Sequence, residues 1–528
     1  METLVAKGGM VVAPHRAAAE AGAEILAAGG TAIDAMIAAS AAIAVAYPHM
    51  NGLGGDGFWL VAAPGKPPKA ILACGPAARA ATIAAYRAEG HDAMPVRGPR
   101  AAATVAGTVG GWALAHEIAA TLGGGLPLAD LFSAAIRLAK EGVAVSPSEA
   151  RTPAALIAGL ADLPGFAEAF LDGGALPPAG TPRRAPRLAD VLGHLASAGL
   201  DDLYRGDVGV ALAQDLERLG SPLRREDLTA YRARLAEPLS LAGRWGTLWN
   251  APLPTQGFAS LAILGQFERL AVARDDGPEF VHALVEATKQ AFSARDRIWG
   301  DPDAGADPAA LLAAPALDRM AAAIDRRRAA PWPASASGGD TVWLGAIDRN
   351  GVAVSFIQSI FFEYGAGIVL PQTGILWQNR AAAFSLDPAS PAALGSGRLP
   401  PHTLNPAMAR LANGRLIVYG TMGGEGQPQT QAAVFARHVV FGRDVGAAID
   451  APRWLLGRTW GESSTSLKLE ARTDPDVVAA LDRMGHRVEL LAEPYSDLVG
   501  HAGMIVRRPD GRLDGAHDPR SDGGAAAA

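Results

Sequence analysis

Two apolar runs around one tight turn constrain this fold more than any other feature. TVWLGAI (residues 341–347) and VAVSFIQSIF (352–361) flank DRNG (348–351). A half-buried hairpin alternates apolar with polar side chains. These runs are apolar on both faces, so the hairpin needs cover above and below, and that demands a layered fold. Thr341 stands where a tract of small residues, SGGD, meets the first run.

The turn sets the register. A two-residue primed turn centred on Asn350-Gly351 would place Thr341 opposite Ile360. A type I turn over Arg349-Asn350, with Gly351 left-handed in a bulge, would place Thr341 opposite Ser359. Asp348 before the turn and Gly351 after it favour the second closure. A slip of one residue would put the two hydroxyls on opposite faces. The bulged register is therefore the expectation, with Thr341 and Ser359 side by side at the open end of the hairpin.

A hydroxyl is a weak nucleophile until a base takes its proton, and a free α-amine can be that base. Its ordinary pKa of about 7.7–8.0 suits the task. A chain cut between Asp340 and Thr341 would give Thr341 both nucleophile and base. An uncut chain would leave it an ordinary strand Thr. The residues alone leave both readings open.

The 528 residues suffice for a large core, and the net charge of −6 implies neither nucleic acid nor an anionic membrane as partner. One cysteine, Cys74, allows no internal disulfide and no cysteine metal cluster. The 11 histidines show no ligand spacing such as HExxH, so metal catalysis is not expected. The longest apolar tract, residues 32–47, contains Asp34 and is short of a membrane span. No secretory signal is read at METLVAKGGMVV, so a cytoplasmic protein is expected.

The chain opens with a helical hairpin. Gly29-Gly30 stops the first helix, Thr31 caps the second with Asp34 three residues on, and Pro48 ends it. A glycine-rich loop, NGLGGDG, then feeds a strand. Residues 100–330 read as mainly helical, and 326–340 have linker composition. Beyond 340, short apolar runs dominate, including GIVL, GILW and RLIVYG, interrupted by one helix, QTQAAVFARHVVFG. The class is α/β (α+β), helix-rich first and strand-rich second.

TVWLGAIDRNGVAV resembles the start of the small subunit of the gamma-glutamyltranspeptidases, an N-terminal-nucleophile hydrolase family. GGTAIDAMIAASAAIAVAYPHMNGLGGDGFWLV, GIVLPQTGILWQNR, LPPHTLNPAM, YGTMGGEG, DAPRW and AHDPRS follow in the family's order. The resemblance implies a four-layer αββα sandwich and self-cleavage between Asp340 and Thr341. It implies a large portion (1–340) and a small portion (341–528) as an αβ heterodimer, alone or doubled, with no cofactor. By the same resemblance Thr341 is the nucleophile, Ser359 its hydrogen-bonding neighbour, and Gly423-Gly424 the oxyanion hole.

The departures bear on the substrate. Glutamyl-handling members bind the substrate α-amine with an Asn where this chain has Phe361, and with a Gln and an Asp where it has Arg380 and Ala383. Their Ser-Ser pair is His402-Thr403 here, and their carboxylate-clamping Arg falls near Ala81, with Arg79 close by. An ammonium beside Arg380 would be repelled, with no carboxylate expected to offset it. A small acyl donor with a carboxylate and no amine fits better. Arg380 would hold it bidentately, with His402 and Thr403 as further donors and Phe361 drying the pocket. Arg453 and Arg458 are alternatives for the clamp. The branch with TVW, FIQS, WQNR and GGEGQPQTQ is associated with oxamate hydrolysis. The competing expectations are a γ-glutamyl hydrolase or transpeptidase, a glutaryl-type acylase, and an unprocessed member acting as a binding protein.

Overall fold

The computed structural model describes residues 1–302, 305, 307–332, 340–457 and 464–528. Arg458 and residues 333–339 of the linker lie outside them. The helical hairpin forms as the caps require. Helix α1 (Arg16–Ala27) ends before Gly29, whose φ is +93°. Helix α2 (Ala32–Ala46) begins at Thr31, whose hydroxyl accepts from Asp34 N at 3.3 Å while Asp34 accepts from Thr31 N at 2.9 Å. Every residue of α2 is buried, so it is a core element and not a surface helix.

Two seven-stranded sheets form the centre. The strands in chain order are β1 (Leu4–Ala6), β2 (Gly9–Ala13), β3 (Asp56–Ala62), β4 (Lys69–Ala73), β5 (Arg234–Ala236), β6 (Leu239–Gly243) and β7 (Gly246–Asn250). After the linker come β8 (Asp340–Asp348), β9 (Ala353–Phe361), β10 (Ala407–Leu411), β11 (Leu416–Thr421), β12 (Ala502–Arg507), β13 (Leu513–Ala516) and β14 (Gly524–Ala527). One sheet runs β1-β13-β12-β11-β10-β7-β6, the other β14-β2-β8-β9-β3-β4-β5. Both draw strands from either side of Thr341, so residues 1–340 and 341–528 share one core.

Three apolar clusters fix the layering. Met10, Phe58, Trp343 and Ile357 of the second sheet meet Met408, Val418 and Ile505 of the first. On the outer face of the second sheet, Val342, Leu344 and Val354 pack with α2 and its neighbours. On the outer face of the first, Ala409, Ile417 and Met504 pack against helices α3 (Gly257–Leu270), α4 (Pro278–Arg295) and α5 (Gly426–Phe435). The order is helix, sheet, sheet, helix, as expected.

The hairpin β8–β9 lies at the centre of the second sheet with both faces covered. Pairing runs from Val342–Gln358 to Ile347–Ala353, the bulged register, and Gly351 has a φ of +88°. Asp340 pairs with Phe361, so Thr341 alone faces Ser359 and Ile360 in a bulge at the strand's start. The runs GIVL and GILW depart from expectation. They form no strands and meet through a single bridge, Val369–Leu376. The expected helix at QTQAAVFARHVVFG starts earlier, at Gly426, and passes into a π-helical turn over Ala436–Val440.

Candidate active site

Alternation along β8 turns Thr341 to the same face as Trp343 and Ile347, into the space between the sheets. Thr341 has no exposed surface, and Gln427 Nε2, in the first turn of α5, lies 3.5 Å from its Oγ. Ser359 is equally buried, and its Oγ accepts from Phe361 N at 2.8 Å. That bond spans two residues and holds Phe361 at a φ of +81°, a conformation side chains rarely adopt. The glycine loop before β3 allows this crowding: a Cβ on Gly55 would lie 2.2 Å from Ser359 O.

Gly423 and Gly424 make the turn from β11 into α5, at φ of +112° and +52°. Among the described residues neither N–H has a hydrogen-bond acceptor. They precede the positive end of α5, so the turn suits negative charge. Gln256 braces it. Its Nε2 donates to Gly424 O at 2.8 Å and to Thr403 O at 2.7 Å. Arg295 holds Gln256 Oε1 at 2.9 Å and Glu425 at 2.9 Å. The glycine turn and the His402-Thr403 segment are thus fixed to one another.

The other end of the site is cationic. Arg380 is 1% exposed, its guanidinium lies 3.8 Å from the Phe361 ring centroid, and none of its three side-chain nitrogens has a hydrogen-bond partner. Thr403 Oγ and both ring nitrogens of His402 are also buried without partners. Burial pushes Arg380 down to about 9, partly opposed by Asp56. Burial and the Arg380 charge hold His402 well below the ordinary imidazole range, so it is neutral. Phe361, Arg380, Ala383 and Thr403 line a cleft of about 270 Å³ with Asp296 and Trp299.

Asp56 was missed by the sequence reading, which expected no carboxylate near Arg380. It opens β3 opposite Ser359, with Oδ1 accepting from Gly107 N at 3.0 Å and Gly75 N at 3.3 Å. Its Oδ2 lies 3.5 Å from His402 Nε2. With His402 neutral this contact is not an ion pair. Burial raises the Asp56 carboxyl to about 7, against the pull of Arg380. The available signal was an acid inside NGLGGDG at the start of an apolar strand. Gln427 was missed too; its position in the first turn after GGEG was the signal.

Thr341, Ser359 and Gln427 thus gather at the mouth of the inter-sheet space, and Phe361, Arg380, His402 and Thr403 continue from it. The other arginines lie elsewhere. Arg79 is 68% exposed, 4.0 Å from Asp227, and Ala81 is buried without a polar side chain. Arg453 is buried in an ion pair with Asp518 and donates to Gly500 O at 2.6 Å. Cys74 is a buried free thiol pushed up by burial.

This layering and this buried, polar-rimmed cleft define a hydrolase of the N-terminal-nucleophile fold. The profile of the gamma-glutamyltranspeptidase family matches residues 18–528, and the chain belongs to that family. It is 53% identical over 524 residues to the oxamate amidohydrolase proenzyme of Klebsiella pneumoniae, which covers 99% of both chains. It is 38% identical over 520 residues to a glutathione hydrolase-like proenzyme of Bacillus subtilis, 98% of both chains. The crystal structure of cephalosporin acylase from Bacillus halodurans superposes with a TM-score of 0.90 at 32% identity, covering 100% of this chain and 97% of that one. Among the described residues no helix is long and apolar enough to cross a membrane.

Proposed function

We propose that this protein cuts itself between Asp340 and Thr341 and hydrolyses a small carboxylate-bearing amide of the oxamate kind. The portions 1–340 and 341–528 stay together as an αβ heterodimer through their shared sheets. Thr341 Oγ attacks the amide carbonyl while its α-amine takes the hydroxyl proton. The oxyanion lies on the Gly423 and Gly424 N–H groups. The amine returns the proton, the C–N bond breaks and ammonia leaves. Water then attacks the acyl-Thr341 ester, freeing the acid and restoring the hydroxyl. Ser359 orients Thr341 Oγ.

The observation that carries this reading is Arg380. A buried guanidinium without hydrogen-bond partners is costly unless an anion completes it. A substrate carboxylate does so, with Thr403 and His402 as further partners. Phe361 occupies space where a larger acyl donor would need an amine acceptor. The resemblance to the Klebsiella proenzyme, whose name specifies oxamate, supports the same class.

Mass spectrometry of the purified protein should find a fragment beginning at Thr341, and ammonia should be released from oxamate. Turnover of a γ-glutamyl or glutaryl anilide without turnover of oxamate would overturn the substrate class. A persistent single chain without activity would support the binding-protein reading.

A further inference from the structure

A second cluster of ligand-type side chains lies outside the active site. His282 and Glu286 occupy adjacent turns of α4, four residues apart on one face. His486 reaches them from the loop after the helix Pro475–Arg483. All three are buried, and one ligand atom from each lies within 4.8 Å of the others. His282 Nδ1 and His486 Nε2 are 2.8 Å apart.

The hydrogen bonds fix the protons. His282 Nε2 is 2.8 Å from the carbonyl of Asp325, which can only accept. The proton of neutral His282 is therefore on Nε2, and Nδ1 turns a lone pair inward. A ring nitrogen held by a backbone carbonyl is the usual support of a metal-ligating histidine. His486 Nε2 then donates to that lone pair. Two nitrogens on one tetrahedral zinc stand about 3.3 Å apart, so the rings need to part by about 0.5 Å.

We propose that His282, Glu286 and His486 form a site for zinc, with water as fourth ligand. On binding, His486 keeps one proton but carries it on Nδ1, so both rings stay neutral. Glu286 supplies one carboxylate oxygen. Lys289 Nζ, now 2.6 Å from Glu286 Oε1, gives up that contact and keeps its bond to Ala330 O, also 2.6 Å. The ammonium is the natural competitor of the metal, and it makes the affinity modest.

The placement gives zinc a structural purpose. His282 and Glu286 precede the linker and His486 follows it, so the metal would join the portions on either side of Thr341. The same groups hold the strand of chain entering the linker: Asp325 O is bound by His282, and Ala330 N donates to Glu286 Oε2 at 3.1 Å. Ala329 N donates to Met484 O at 2.8 Å from the other side. A zinc ion here would fasten the end of the large portion to the small one.

The test uses the full-length protein without a histidine tag, stripped with chelator and dialysed against zinc chloride. One zinc per chain is expected by elemental analysis, and cobalt should give the visible absorption of a tetrahedral site. His486→Ala should weaken binding at least about tenfold, whereas Lys289→Met should tighten it. Wild-type protein that retains no zinc and gives no tetrahedral cobalt spectrum would overturn the proposal, whatever the variants do. Equal zinc uptake by wild type and a folded His282→Ala/His486→Ala double variant would overturn it too.

Discussion

The two ends of the active site differ in how their polar atoms are satisfied. At the hydroxyl end, Ser359 accepts from Phe361 N and Thr341 from Gln427. At the cationic end, Arg380, His402 and Thr403 carry buried polar atoms with no partner. An unpaired buried polar group costs about 1–3 kcal/mol, more when charged. The two hydroxyls therefore have partners within the protein, with Gln427 Oε1 left unpaired, whereas the larger unsatisfied set lies at the cationic end, where the proposed substrate carboxylate would complete it. In the proposed function the hydroxyl end supplies the chemistry. The cationic end selects the substrate in that proposal, at the positions where the sequence departs from the glutamyl-handling pattern.

The comparison breaks first at the nucleophile. Thr341→Ala should abolish both self-cleavage and ammonia release, a loss of at least about a thousandfold. Intact mass would show one uncut chain, and an unchanged melting profile would show that the fold survives. A variant that still turns over would move the chemistry to another residue. Gly423→Ala should come next. At a φ of +112°, with its Cβ 3.2 Å from Gly500 Cα, an alanine there distorts the turn. Misdirecting one oxyanion donor should lower kcat by about 10²–10³ with little change in KM. A rise in KM alone would place the glycines outside the oxyanion hole.

The same division explains what could be read from the chain. The register of β8 and β9 from Val342 onward follows from four local residues, DRNG, so the approach of Thr341 to Ser359 was legible, but the bulge that sets Thr341 against both Ser359 and Ile360 was not. The thorough burial of the hairpin, and with it a layered fold, was legible from two apolar runs. GIVL and GILW misled because an apolar run records burial, not ladder pairing; Leu370 N bonds Ile375 O in a tight loop instead. Asp56 was not legible beside Arg380, since more than 300 residues separate them in the chain. Only strand pairing of β3 with β9 brings that carboxyl opposite Ser359. Charge balance in a buried site is a tertiary property, and counting charges near a motif misses it.

Arg380→Met should separate activity from stability. Loss of a charged hydrogen-bonding partner worth about 1.5–3 kcal/mol should raise KM for a carboxylated amide by about 10- to 100-fold. The melting temperature should rise, because an apolar side chain replaces a buried cation without hydrogen-bond partners, a change worth about 1–4 kcal/mol in favourable cases. Asp56 is largely protonated below pH 7 and leaves no orphaned anion there. A fall in melting temperature would show that Arg380 is a structural ion-pair partner, and that the cationic end is already satisfied within the protein.

The smallest effect should be a pH dependence of KM, and its sign follows from Asp56. Its carboxyl, raised to about 7, is neutral at pH 6 and charged at pH 8. His402 is already neutral across that range, and Arg380 stays cationic until about 9. Raising the pH from 6 to 8 therefore adds one negative charge beside Arg380, while the freed Thr341 α-amine, with an ordinary pKa of about 7.7–8.0, loses its proton at the hydroxyl end, where it bears on kcat. A substrate carboxylate then competes with Asp56 for the same guanidinium, so KM should rise, by about 3- to 10-fold. Folding should lose stability as the pH rises from about 4 to about 7 and level off above, because the unfolded carboxyl ionises near 4 and the native one near 7. Asp56→Asn keeps an oxygen for the Gly75 and Gly107 N–H groups and removes the titration. It should hold KM near its pH 6 value up to pH 8 and flatten the stability profile. A KM that rises equally in the variant would show that the charge at the cationic end is set by another group.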